Sequence, residues 1–277
     1  MPTPTPPQTL TLIVATTPLP SGLGIGLAGT LPWPRIKSDM SFFARVTARL
    51  PHLPAESSPQ SGTTGKTKTN ALIMGRKTYD SVPLKLRPLG KRVSVIISRD
   101  RGGSVAERVK SELEGKKGRE RELAEKKALE ASQGAITAAT ASAPSTGVAE
   151  GQTSAFVSSS LDDALHQLDQ GAAEGSIGNI FVIGGAEIYG ASLRLSSQTN
   201  ASGTERKFRI VMTDVEKLDG SGFECDTFFP INAEELSSDK WKRVSPEEVS
   251  AWVGEKVSGE WITEGDVRVR MVGYERV

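Results

Sequence analysis

One carboxylate stands where an amphipathic helix should be apolar. The segment Pro34 to Leu50, PRIKSDMSFFARVTARL, predicts a helix: Pro34 suits its entry, Ser38 reads as its N-cap, and helix formers follow. On a projection of about 100° per residue, Phe42, Phe43, Val46 and Leu50 lie within about 60° of Asp39 and Met40 lies about 100° away. The polar residues Ser41, Arg45 and Arg49 fall on the other side. Asp39 therefore occupies the middle of the apolar stripe. Either it complements the positive end of the helix and turns to solvent, or it sits in an apolar pocket and grips a ligand, since burying an unpaired charge is costly. The neighbouring segments must decide.

The remaining composition excludes several classes. With 277 residues, 37% hydrophobic and 24% charged, the chain reads as a soluble globular protein. A net charge of +1 gives no electrostatic reason to bind nucleic acid. No apolar run approaches the roughly 20 residues of a membrane span. The opening MPTPTPPQTL lacks the basic-then-apolar order of a secretory signal and reads as a flexible stretch over residues 1–8. The expectation is a cytoplasmic protein, with the mitochondrion as a second location, and no nucleic-acid or membrane partner. A single cysteine, Cys225, allows no internal disulfide and suits a reducing compartment. His52 and His166 have no histidine or cysteine at ligand spacing, so no metal site is expected.

Along the chain, Thr9 to Ala15 (TLTLIVA) predicts a central strand. The glycine-rich PSGLGIGLAGTLPWP follows. Gly24, Gly26 and Gly29 match G-x-G-x-x-G in form, but turn residues precede them, Leu31-Pro32-Trp33-Pro34 follows, and no acid stands near Leu50, so a dinucleotide-binding loop is rejected. A mobile flap anchored by Leu-Pro-Trp fits better. The run GTTGKT, in a loop-like stretch from Pro51 to Asn70, lacks the first glycine of a phosphate loop. Ala71 to Met74 predicts a buried strand entering Gly75-Arg76-Lys77-Thr78, either an anion site at a helix start or a solvated basic turn. A second strand, Val93 to Ile97, ends in Ser98-Arg99, another candidate phosphate contact.

From Arg101 to Thr153 the composition changes. A charge-dense stretch, read as a solvated helix interrupted at Gly115 and Gly118, gives way to an Ala/Ser/Thr/Gly run that cannot build a core. The whole reads as a surface insertion over residues 101–153. Order returns with Phe156-Val157, a helix capped near Ser160, and the strand Asn179 to Ile183, which runs into Gly184-Gly185-Ala186-Glu187-Ile188-Tyr189. Paired glycines between strand and helix permit a very close backbone approach, for a pyrophosphate or for tight packing. Arg209 to Thr213 and the alternating C-terminal VRVRMVGY predict strands, and DTFFP a packed corner. The fold class is α/β: a mixed, mostly parallel central sheet flanked by helices, with an antiparallel C-terminal strand, in a single domain over 1–277.

Taken in order, GIG, LPWP, the acid–x–x–x–Phe helix, IMGRKTYDSVP, RPLGKR, IISRD, FVIGGAEIY, VMTDV and DTFFP resemble dihydrofolate reductase, over nearly the whole chain except the loop after Leu50 and the 101–153 insertion. DTFFP and the Arg-Pro-Leu turn suggest a eukaryotic member, and the insertion a fungal one. The resemblance implies NADPH-dependent reduction of 7,8-dihydrofolate to tetrahydrofolate by a monomer that also binds antifolates. It implies that Asp39, supported by Thr213, holds the amidine edge of the pterin, with Leu31 and Trp33 completing the catalytic set. Ala15, Met40, Phe43, Val82, Leu89, Ile183 and Tyr189 would surround the substrate, and Arg92 would fork its terminal carboxylate. NADPH would be held by Ala15, Ile25, Gly29, Leu31, Gly75, Arg76, Lys77, Thr78, Ser98, Arg99, Gly184, Gly185, Ala186, Glu187 and Ile188. The family's eukaryotic members usually carry Glu where this chain has Asp39. Two rivals stand beside this reading: a reductase of similar architecture acting on a pyrimidine of flavin synthesis, and a nucleotide-binding interaction protein working through its insertion. Deleting 101–153 separates the last, since an enzyme is expected to survive it.

Overall fold

A computed structural model describes residues 9–50, 68–134, 151–195 and 206–277. The N-terminal stretch 1–8, His52, the GTTGKT run and most of the Ala/Ser/Thr/Gly segment lie outside the described residues.

Six parallel strands form the middle of the sheet. They are β1 (Leu10–Leu19), β3 (Thr69–Gly75), β4 (Val93–Ile97), β5 (Ser154–Ser158), β6 (Ile177–Val182) and β7 (Phe208–Lys217), in spatial order β7-β1-β6-β3-β4-β5. The expected antiparallel ending is β11 (Val267–Arg276) on β7, followed by β10 (Ile262–Glu264), with β9 (Trp241–Arg243) pairing the far end of β11. Off this path, β2 (Gly22–Gly26) pairs β1 and the short β8 (Thr227–Phe228).

Burial on both faces explains the near-continuous apolar strands. In β3, Leu72 and Met74 point to one side, with Phe42 and Val46 of α1 (Lys37–Ala48), Tyr79 of α2 (Arg76–Ser81), and Val105 and Val109 of α3 (Ser104–Gly134). Ala71 and Ile73 point to the other, with Leu161, Ala164, Leu165 and Leu168 of α4 (Leu161–Ala173) and Ile188 and Tyr189 of α5 (Ala186–Arg194). Leu236 of the one-turn α6 (Ala233–Leu236) joins this second layer, and Val249 and Val253 of α7 (Pro246–Val253) the first.

The topology opens one crevice. β1 and β6 pair only from Leu10 to Leu12, against Ile180 to Val182, whereas β1 stays paired with β7 out to Thr16. Beyond Leu12 the β1–β6 seam parts at its carboxyl end, with α1 packed on one face and α5, which follows β6, on the other. Open α/β sheets bind ligands at such a reversal of strand order.

Three sequence expectations change. The glycine-rich loop is half strand: Gly22–Gly26 is β2, and the turn Leu27–Thr30 closes with two backbone hydrogen bonds, positive φ at Ala28 and Gly29 giving it the twist of a tight hairpin. Ser38 is not the N-cap of α1. That position is Ile36, and Glu264 of β10 caps the helix from outside, accepting from Lys37 N at 2.6 Å and from Ser38 N at 3.0 Å. Nor is the start of the 101–153 segment a surface excursion. α3 runs unbroken for 31 residues through Gly115 and Gly118, capped by Asp100, with Val105 and Val109 at 5% and 1% exposure. Two apolar residues one turn apart give a mostly charged helix a buried edge. Deleting the segment would therefore open the core.

A buried ion pair fixes the start of β7. Arg206 donates through Nη2 to both carboxylate oxygens of Asp169 on α4, at 2.8 and 2.7 Å, and the two side chains are 4% and 8% exposed. Asp169→Ala leaves a buried guanidinium without its partner. We expect a loss of about 3–5 kcal/mol in urea unfolding, against a much smaller loss for the exposed pair partner Glu130→Ala.

Candidate active site

The crevice brings together the acidic half of the expected site. Asp39 lies in the first turn of α1, and the Thr213 hydroxyl of β7 donates to its carboxylate. Thr213 is 4% exposed and sits in register with Ala15 of β1 on one side and Met271 of β11 on the other. Burial pushes the Asp39 carboxyl above its ordinary range; the Thr213 hydrogen bond partly opposes this, and the nearby negative charge of Glu264 adds to it. Glu264 also accepts from the Ser38 hydroxyl at 2.7 Å, and these N–H and O–H donors hold its own carboxyl below the usual range.

Tyr189 lines the same space from α5. Its hydroxyl donates to the Ile13 carbonyl, which the parting of β1 from β6 leaves free. Burial raises its pKa, with a further push from the Asp39 charge, so the phenol stays protonated. Ile183 is part of a cluster with Phe43 and Leu89, and Val82 follows α2 as its C-cap.

The second half is a cradle of glycines. Gly75 N donates to Gly184 O at 2.7 Å, tying the end of β3 to the turn after β6. Gly184 has φ +115°, and a Cβ there would meet the Tyr189 ring at 3.2 Å. One at Gly185 would meet Thr78 Oγ1 at 3.3 Å, and one at Gly75 would meet Ile188 at 3.2 Å. The starts of α2 and α5 thus lie against each other, so that a side chain at Gly75 or Gly185 would have to push its neighbour aside, and one at Gly184 would also be strained by the positive φ. Arg76 and Lys77 are exposed beside them. Arg99, two residues beyond β4, pairs with Glu187 of α5 at 3.3 Å, so three cofactor-candidate segments meet at one rim.

Several candidates sit differently from the simplest expectation. Ser98 is 8% exposed and its Oγ accepts from Asp100 N at 3.2 Å, toward the cap of α3. Arg92 is 9% exposed, with Nε on Gly90 O at 2.8 Å and Nη1 on Thr47 Oγ1 at 2.6 Å; burial lowers its pKa to about 10. It remains a cation at neutral pH, with part of its fork already committed. Trp33 is buried in a separate cluster with Ile36, Val215 and Phe223, edge-on to Phe223 at 5.9 Å, and anchors the flap from below. Leu31 and Met40 stay exposed at 49% and 40%. Ile25 of β2 is half-buried, and Gly29 is open to solvent around its Cα.

Glu264 and Asp226 escaped the sequence reading as site supports. Asp226 Oδ2 accepts from Ala28 N at 2.7 Å and so clamps the flap turn. The DTFFP corner flags that position; Glu264, 225 residues from Asp39, carries no local signal (264 − 39).

Fold and site together define an α/β protein with a half-buried carboxylate and a glycine-and-cation cradle opening on one crevice. Residues 52–128 match the family model described as dihydrofolate reductase. Over 261 residues the chain is 29% identical to dihydrofolate reductase of Pneumocystis carinii, covering 93% of this chain and 91% of that protein. It is 29% identical over 278 residues to the Cryptococcus neoformans enzyme, covering 96% and 91%. Among solved structures, Schistosoma mansoni dihydrofolate reductase shares the fold, with a TM-score of 0.54 over 97% of this chain and 98% of that one at 22% identity. The chain is thus similar to dihydrofolate reductases over most of its length.

The raised pKa of Asp39 sets a stability trend. An acid whose folded-state pKa lies above its unfolded value of 3.8 costs stability once pH rises through that interval. Asp39→Asn, neutral throughout, is expected to melt above the wild type at pH 7 in the absence of ligand. The gap should close as pH falls toward 3.8, as differential scanning calorimetry would show.

Proposed function

We infer that the protein reduces 7,8-dihydrofolate to 5,6,7,8-tetrahydrofolate with NADPH as reductant, acting as a single-domain monomer. The observation that carries this reading is Asp39: a half-buried carboxylate, steadied by Thr213, in the crevice shared with the double-glycine turn. A flat heterocycle with an amidine edge offers two parallel donors to such a group, a strong and directional pairing. The shorter arm of Asp, compared with the Glu of most eukaryotic relatives, is met by a helix pinned close to the sheet by Glu264.

The cradle suits a pyridine dinucleotide phosphate. Gly75, Gly184 and Gly185 let the starts of α2 and α5 come close together, so that the first backbone N–H groups of α5 would receive a diphosphate, and Arg76, Lys77, Thr78 and Arg99 would supply the charge and hydroxyl for the extra phosphate. Bound there, NADPH supplies a hydride from its nicotinamide. Leu31, with Ile25 and Gly29 behind it, would close over the crevice and exclude bulk water. Met40, Phe43, Val82, Leu89 and Ile183 would pack the substrate, and Tyr189 and Ala15 would form the floor where substrate and reductant meet. Arg92 would receive the tail carboxylate through the part of its fork left free.

Asp39 does not touch the ring nitrogen that gains the proton. Held ionised by the substrate's own N–H donors, it raises the basicity of the ring, and a water at the flap delivers the proton. The lone Cys225 fits a reducing, cytoplasmic setting, and the long insertion fits a fungal member.

Asp39→Asn should retain NADPH binding and lose turnover by about two orders of magnitude or more at neutral pH, the scale of a lost proton-transfer contribution. Activity should recover partly in acid, where the ring is protonated from solution. NADPH oxidation followed with dihydrofolate, and with a flavin-pathway pyrimidine as control, decides it. Wild-type turnover in the variant would remove Asp39 from the mechanism.

A further inference from the structure

α3 reaches the cofactor cradle through its neighbour. Tyr79 of α2 is 1% exposed, and its hydroxyl donates to Oε2 of Glu112 on α3 at 2.6 Å. Arg87 covers the ring, its guanidinium 5.5 Å from the centroid, and approaches Glu112 Oε1 at 3.8 Å and Asp80 Oδ1 at 3.3 Å. Arg108, one turn before Glu112, holds Asp80 at 2.7 Å. The last two residues of α2 before Ser81 are therefore gripped by two residues of α3, with Arg87 bridging. Val105, Val109 and Glu112 lie on one face of α3, so the packing and the polar grip act from the same side.

A helix of six residues has no stiffness of its own. At its first turn α2 carries Arg76, Lys77 and Thr78, with Thr78 against Gly185. Its pitch is set by the Gly75–Gly184 bond at one end and by α3 at the other. Beyond this contact the two layers are not packed solid. A cleft of about 640 Å³ separates α3 from the turn at Pro83 to Arg87, next to Glu112 and Gly115. The Tyr79–Glu112 and Asp80–Arg108 contacts act at its edge, beside the packing of Tyr79 with Val105 and Val109.

We propose that α3 is a strut for the cofactor site, and that Glu112 is a positioning residue which, by accepting from Tyr79, holds α2 at the pitch its phosphate-binding turn requires. With Glu112 shortened, the buried Tyr79 hydroxyl loses its acceptor and α2 tilts toward the open cleft to find water, drawing Arg76 and Lys77 off the cradle. The charged groups facing Tyr79 are Glu112, Arg87, Arg108 and Asp80. This inference rests on the reading that Arg76 to Thr78 hold NADPH phosphates.

The test is fluorescence titration of the full chain with NADPH and, separately, with a 2,4-diaminopteridine. Glu112→Ala should weaken NADPH about tenfold, equivalent to about 1.4 kcal/mol, and leave pteridine affinity within about twofold, because that ligand sits across the crevice on Asp39. Glu112→Gln, which keeps an acceptor for the Tyr79 hydroxyl, should restore NADPH affinity to within about threefold of wild type. Arg76→Ala is the control for the underlying reading. If Arg76→Ala weakens NADPH and Glu112→Ala does not, the strut is wrong while the cofactor site stands. If Arg76→Ala and Lys77→Ala both bind NADPH normally, site and strut fall together. Equal loss of both ligands in Glu112→Ala makes the contact a general fold contact and overturns the proposal.

Discussion

A half-buried carboxylate in an apolar stripe is the constraint around which this molecule is arranged. Asp39 gains one hydrogen bond, from Thr213, and faces a second negative charge at Glu264. Neither neutralises it. The surroundings nonetheless hold it in place: Glu264 satisfies the first N–H groups of α1, β7 carries Thr213 in register with Ala15, and the ion pair of Arg206 with Asp169 secures the start of β7. Stability is given up locally to keep an acceptor ready for a ligand's donors, a trade that functional sites commonly make.

The crevice exists because two parallel strands pair for only three residues. Past that point the Ile13 carbonyl would be orphaned, and Tyr189 answers it from α5. The Tyr189 ring in turn crowds Gly184, so only a residue without a side chain fits the turn. Strand divergence, aromatic filler and paired glycine are one linked solution. They bring the double-glycine turn to the same crevice as Asp39. Across the mouth, Asp226 fastens the glycine-rich turn at Ala28 while Leu31 stays exposed.

Much of this was legible in the chain. The apolar runs at Ala71–Met74 and Asn179–Ile183 specified buried parallel strands, and Gly184-Gly185 marked the close approach, because both are local demands on residue type. The helix of Asp39 was legible from its stripe. What pins that helix was not: Glu264 belongs to a distant hairpin and nothing in its surroundings, ITEGD, distinguishes it from a solvated acid. The glycine-rich segment read as loop because glycine has low strand propensity, yet pairing with β1 and β8 overrides that preference. The charge-dense stretch after Arg101 read as surface because two valines are too few to raise its mean hydropathy. The interior they reach was set by α2 and β3, not by α3. Ser98 and Arg92 show the same limit at the side-chain level, since sequence placed them at the site but could not say how far each turns inward.

Isotope-edited infrared spectroscopy of the Asp39 carboxyl, identified by its loss in an Asp39→Asn sample, reads the central claim directly. In the ligand-free protein the protonated carboxyl band should persist to a pH above 3.8, and at a pH within that raised interval it should convert to the carboxylate band when dihydrofolate is added. A carboxyl that titrates as an ordinary surface aspartate and ignores the ligand would contradict the account.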